Sequence, residues 1–200
     1  MVHPDQADDR SDRRPTVAVL GDSITFESET ELRVALEAGT VVDLTAVVGR
    51  PGKTFAELLA DAEQIATTGP DLVVINLGTN DALKSVPIGD TRLALDALYA
   101  ALPDALIVAV AVTTRFSDSP FDVRAQAIND RLRAGCRDRA RPVAVVAWDE
   151  IVAADDANRA DSPAHDPILS DGLHPTPRGR ARLADAIAVA VAGAMRAIPR

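Results

Sequence analysis

Five short apolar runs with no polar alternation recur along the chain, and this pattern restricts the fold more than any other feature. The runs are Thr16–Leu20, Val41–Val48, Leu72–Leu77, Leu106–Val112 and Val143–Trp148. They are rich in Val, Ile and Leu, so each predicts a strand buried on both faces. Between them lie amphipathic stretches near Glu29–Ala38, Phe55–Thr67, Thr91–Leu102 and Val123–Arg139. A last one, Pro177–Ala197, carries Leu183, Ile187, Ala190 and Ala194 at helical spacing. Gly39, Gly69-Pro70, Pro103 and Pro142 punctuate the joints. Five βα units in series predict an α/β fold: a three-layer α/β/α sandwich around a five-stranded parallel sheet.

A chain of 200 residues fits one such domain, assigned to residues 16–200. Residues 1–15 are rich in Asp and Arg and hold no apolar run. Their composition predicts a disordered tail and does not match a secretory signal. The segment Val152–Ser170, dense in Asp and Ala, reads as a mobile loop. A net charge of −9 without a basic stripe argues against nucleic acid or an anionic membrane as partner. No stretch reaches the roughly 18 apolar residues of a membrane span. The single cysteine, Cys136, excludes an internal disulfide and a multi-cysteine metal site. The expected setting is cytoplasmic, and oligomeric state is left open.

In a doubly wound sheet, ligands bind beyond the carboxyl ends of the strands, so chemistry is sought there. The first strand leads into Gly21-Asp22-Ser23-Ile24-Thr25. A serine on that turn is exposed at the rim of the sheet, with its backbone N–H near a helix start. Helix capping alone also explains a serine here. The third strand ends in Leu77-Gly78-Thr79-Asn80-Asp81. An Asn amide there can donate to an oxyanion, although Gly, Asn and Asp are also ordinary turn residues. The second strand ends in Val48-Gly49-Arg50-Pro51-Gly52-Lys53-Thr54, where a glycine N–H can approach a ligand. Gly52-Lys53-Thr54 resembles the end of a phosphate-binding loop, but Val47 stands where that motif requires glycine.

Near the C-terminus, Asp171-Gly172-Leu173-His174-Pro175-Thr176-Pro177 precedes the last helix. A serine nucleophile needs a base, and the base needs a carboxylate to orient it. Of the three histidines, His3 lies in the tail, and His165 has only the adjacent Asp166, which points differently. Asp171 precedes His174 by three residues, so one turn can hold both.

Taken together, Gly21-Asp22-Ser23, the glycine near 49, Gly78-Thr79-Asn80-Asp81 and Asp171-x-x-His174 resemble the blocks of the SGNH (GDSL-type) hydrolase family. The resemblance spans Thr16 to the final helix. It implies a flavodoxin-like SGNH hydrolase fold and a serine esterase acting on small-molecule esters, without metal or cofactor. By the same resemblance the nucleophile is Ser23, the base His174 and the orienting acid Asp171. The oxyanion donors are the Ser23 backbone, Gly49 and Asn80, with Gly52 as the alternative glycine. Short acyl groups such as acetyl are the expected substrates, and transfer to a sugar or other alcohol is the alternative reaction. Leu83, Val86, Ile88, Phe116 and Phe121 are expected to line an acyl pocket, whereas Lys84 and Arg115 suit an anionic or sugar-bearing alcohol.

Overall fold

A computed structural model describes residues 13–39, 42–114, 119–138, 141–161 and 166–196. The strands are β1 (Thr16–Gly21), β2 (Asp43–Gly49), β3 (Leu72–Asn76), β4 (Leu106–Val110) and β5 (Ala144–Val146). They form one parallel sheet in the order β2-β1-β3-β4-β5. The helices are α1 (Ser23–Glu27), α2 (Glu29–Gly39), α3 (Leu59–Ala66) and α4 (Thr79–Leu83). They continue as α5 (Ile88–Ala101), α6 (Pro120–Arg137), α7 (Trp148–Asp161) and α8 (Pro177–Arg196).

The strands lack polar alternation because both faces of the sheet are covered. Ala18, Leu20, Val73, Ile75, Ile107 and Ala109 face a core closed by α3, α5 and α6. Their neighbours Val17, Val19, Leu72, Val74, Val108 and Val110 face the opposite core, closed by α2, α7 and α8. Each Leu or Ile fully buried there contributes about 1.5–3 kcal/mol relative to exposure. Among the described residues no helix is long and apolar enough to cross a membrane.

Three departures from the sequence reading matter for function. Val152 lies in α7, so the first part of the expected loop Val152–Ser170 is helix. The reason is visible in burial: Trp148, Val152 and Asp155 are buried at helical spacing. Asp155 accepts from the Ile168 N–H at 3.2 Å and from Arg178 at 3.0 Å, tying α7 to the start of α8. The other two departures are the short helices α1 and α4, which start within three residues of the ends of β1 and β3 and lie outside the amphipathic stretches named above. Residues 1–12 of the expected tail lie outside the described residues.

The strand order reverses its winding between β1 and β3, which is where open α/β sheets bind ligands. Gly21 is paired with Gly49 on one side and Asn76 on the other, so the carboxyl ends of β1, β2 and β3 finish level.

Candidate active site

Ser23 is the first residue of α1, two residues past the end of β1. Asp22 starts that helix, its carboxylate accepting from the Ile24 N–H at 3.0 Å. In the first turn of a helix the N–H groups have no intrahelical acceptor, and that of Ser23 is one of them. The Ser23 hydroxyl lies 3.1 Å from His174 Nε2, across 151 residues of sequence.

His174 is held by a tight turn stapled to itself. The Leu169–Pro175 bridge and the Ser170 N–H donating to the His174 carbonyl at 2.9 Å close it. Inside the turn, Asp171 accepts from three donors. The Leu173 N–H is at 2.9 Å, the His174 N–H at 2.8 Å and His174 Nδ1 at 2.7 Å. An ionised carboxylate only accepts, so Nδ1 carries the proton and Nε2 is left to accept from the Ser23 hydroxyl. The Asp171 bond raises the imidazole pKa above its ordinary 6.5. Desolvation pushes Asp171 up, but its bonds from His174 and Leu173 together outweigh it and hold the carboxyl well below the usual carboxylate range. The pair is open to solvent, with side-chain exposures of 56% for Asp171 and 33% for His174.

Asn80 is in the first turn of α4, opposite Ser23 across the switch point. The turn before it requires Gly78, which has φ +115°. A Cβ at Gly78 would also meet Val112 Cγ2 at 2.9 Å. Asn80 is buried, and its Nδ2 donates to Asp22 Oδ2 at 3.1 Å. That leaves the second Nδ2 hydrogen uncommitted among these bonds. Burial pushes the Asp22 carboxyl up to about 6, despite the bonds from Ile24 and Asn80.

The glycine of the second strand is the part of the site that the sequence reading resolved least. The Arg50 N–H donates to the Gly21 carbonyl at 2.9 Å, and N–H groups alternate sides along a strand. Hence Gly49 directs its N–H away from β1 and Ser23, toward the open edge of the sheet. Its missing side chain has a packing cause: a Cβ there would lie 2.5 Å from the Phe26 Cα and backbone nitrogen. Gly52 is placed differently. Arg50-Pro51-Gly52-Lys53 forms a tight turn closed by the Lys53 N–H on the Arg50 carbonyl at 3.2 Å, with Gly52 at φ +75°. A Cβ at Gly52 would meet nothing within 4 Å.

The same loop is fixed to α4 by the Phe55 N–H donating to Asp81 Oδ2 at 3.2 Å. Burial raises Asp81 to about 6. Lys53 and Thr54, the apparent end of a phosphate loop, are both engaged by Glu57. Lys53 Nζ is at 3.1 Å, and the Thr54 N–H and hydroxyl are at 3.0 and 3.1 Å. These donors therefore face a carboxylate rather than a phosphate. Lys84 also pairs with Glu57, at 2.8 Å, so the ammonium expected to meet an anionic alcohol faces a carboxylate.

Of the expected acyl-pocket residues, Leu83 and Ile88 are exposed, and Val86 is half-buried. Phe121 is only 9% exposed and packs in the core beneath α6. Phe116, Arg115, His165 and His3 lie outside the described residues. What the sequence reading missed is the part played by Asp22, whose signal was its position immediately before a serine at a helix start. It also missed Asn76, which donates to the Thr25 hydroxyl at 3.0 Å and braces β3 against α1.

The model of the GDSL-like lipase/acylhydrolase family matches residues 19–182 of the chain. Solved structures share the fold at low identity. The lipase/acylhydrolase from Enterococcus faecalis is 20% identical over 90% of this chain and 96% of its own, with a TM-score of 0.70. The family 3 carbohydrate esterase from Clostridium thermocellum is 19% identical over 92% and 98%, with a TM-score of 0.68. The catalytic domain of peptidoglycan O-acetyltransferase A from Streptococcus pneumoniae is 16% identical over 92% and 96%, with a TM-score of 0.68. No curated protein matches the sequence.

Proposed function

The chain belongs to the GDSL-like lipase/acylhydrolase family, and from that premise we propose that it is a serine esterase that hydrolyses short-chain carboxylic esters through an acyl-enzyme on Ser23. The observation that carries this reading is the unbroken relay from the Ser23 hydroxyl to His174 Nε2 at 3.1 Å and from Nδ1 to Asp171 at 2.7 Å.

In the first half-reaction His174 Nε2 takes the Ser23 proton as Oγ attacks the ester carbonyl. The carbonyl oxygen becomes an oxyanion, met by the Ser23 N–H, an Asn80 Nδ2 hydrogen and a glycine N–H. We assign that glycine to Gly52 in place of Gly49, because the Gly49 N–H points away from Ser23. His174 then gives its proton to the departing alkoxide, leaving an acyl ester on Ser23. In the second half-reaction water attacks that ester while His174 accepts its proton, and collapse releases the carboxylic acid and restores Ser23. Asp171 fixes the tautomer of the imidazole and stabilises its charged form throughout.

The expected acyl wall is weak among the described residues. Phe121 is engaged in the core, so the expected acyl pocket loses its largest described wall. Leu83 and Ile88 offer only exposed apolar surface. The solvent-open Asp171–His174 pair favours water over an alcohol as acyl acceptor. Transfer to a sugar or other alcohol is therefore the second reading, and added acceptor tests it. The direct experiment is hydrolysis of p-nitrophenyl esters from acetate to dodecanoate by wild type and Ser23→Ala. Serine-dependent turnover that falls with chain length is expected. Undiminished turnover by Ser23→Ala overturns the assignment.

A further inference from the structure

We propose that Asp22 is a positioning residue that orients the Asn80 amide, so that Nδ2 rather than Oδ1 faces the reaction centre. The proposal rests on the esterase reading and goes beyond it, since neither the triad nor the oxyanion donors require Asp22.

The two ends of an Asn amide are nearly the same size, so what an Asn presents to substrate is decided by what it faces elsewhere. Asn80 is buried, and its Nδ2 faces Asp22 Oδ2 at 3.1 Å. A wrong orientation would place Oδ1, an acceptor, where negative charge develops. Asp22 is 1% exposed, and its other oxygen is committed to the Ile24 N–H at 3.0 Å. The carboxylate therefore has one fixed pose, with Oδ1 on the helix and Oδ2 on the amide. An ionised carboxylate has no hydrogen to offer, so Asn80 can satisfy it only with Nδ2. With the carboxyl raised by burial to about 6, Asp22 is ionised in an assay at pH 8.

Two substitutions separate this role from helix capping. Asp22→Asn keeps an oxygen for the Ile24 N–H but turns an amide NH₂ toward Asn80. Asn80 must then present Oδ1 to it and rotate Nδ2 out of the oxyanion site. Asp22→Ser also preserves a cap acceptor, because Ser and Asp are both strong N-cap residues, but leaves Asn80 without an orienting partner.

The test is steady-state hydrolysis of p-nitrophenyl acetate at pH 8 by wild type, Asp22→Asn, Asp22→Ser, Asn80→Ala and the double variant Asp22→Asn/Asn80→Ala. Melting temperatures and Ser23→Ala serve as controls. Loss of one side-chain oxyanion donor costs about 10²–10³ in kcat, and Asp22→Asn is expected to approach that loss with KM changed less than about threefold. Asp22→Ser is expected to lie between Asp22→Asn and wild type. On the Asn80→Ala background, Asp22→Asn is expected to cost less than about threefold more, because a residue acting through Asn80 has nothing left to orient. The proposal is overturned if Asp22→Asn keeps kcat within about threefold of wild type, or if the two losses multiply. Failure of the esterase reading shows separately, as wild-type turnover that does not depend on Ser23.

Discussion

Replacing Asp171 by Asn is expected to harm the enzyme more than replacing it by Ala. The cause lies in the three bonds that converge on one carboxylate. Asp171 Oδ1 accepts from the Leu173 and His174 N–H groups at 2.9 and 2.8 Å, and Oδ2 faces His174 Nδ1 at 2.7 Å. An Asn at 171 has one oxygen, and the two backbone donors claim it. Its NH₂ then faces Nδ1, which must give up its hydrogen and become the acceptor. The proton moves to Nε2, the atom that has to accept from Ser23. The tautomer is inverted, a fault that costs about 10⁴ in kcat where a serine triad carries it, or about 5.4 kcal/mol of barrier. Exposure of Asp171 screens the charge contribution but not the tautomer, so roughly 10³–10⁴ is expected here. Asp171→Ala leaves Nδ1 to water, and either tautomer stays within reach. It is expected to retain about tenfold more activity than Asp171→Asn, on the same reasoning. The assay is kcat for p-nitrophenyl acetate at pH 8, with melting temperature as a fold control. Asp171→Asn within tenfold of wild type, or Asp171→Ala below Asp171→Asn, refutes the reasoning.

Other outcomes follow from the same geometry. Asn80→Ala is expected to lower kcat by about 10²–10³, and an unchanged kcat returns Asn80 to a purely structural turn. His174 works as a base only when neutral, and its pKa lies above 6.5 because of Asp171. Activity is therefore expected to fall as pH drops through that raised value, and kcat/KM profiles should show the inflection moving down in Asp171→Ala. An inflection indifferent to Asp171 contradicts the pairing. Gly78→Ala combines φ +115° with a Cβ 2.9 Å from Val112 Cγ2. Positive φ and overpacking together cost about 2–4 kcal/mol, or roughly 4–16 °C in Tm for a chain of this size. A calorimetric Tm within about 2 °C of wild type would show that the turn relaxes freely.

How legible this was depends on the range over which each feature is determined. The strands read clearly because Val, Ile and Leu fill both faces of the sheet, leaving a signal within each run. The Asp171–His174 spacing read clearly because a single turn contains it. Helices α1 and α4, five residues each, are too short for an apolar period to show. Helix α7 was obscured by its aspartates, one of which, Asp155, is buried against Arg178 and Ile168 rather than solvated. The choice between Gly49 and Gly52 turns on which way an N–H points, and for Gly49 the Arg50–Gly21 bond sets that only after the sheet has formed. The Asp22–Asn80 bond joins residues 58 apart, and Asn80 was already explained locally as a turn residue. Local sufficiency hid the contact.

Passage of the acyl group through Ser23 is read out by intact-protein mass spectrometry with peptide mapping. The enzyme would be acid-quenched during turnover of a slow p-nitrophenyl ester, or treated with a sulfonyl fluoride. One adduct of the acyl or sulfonyl mass is expected on the peptide containing Ser23, absent from Ser23→Ala and strongly reduced in His174→Ala. An adduct on another residue, or Ser23→Ala that is labelled and turns over like wild type, contradicts it.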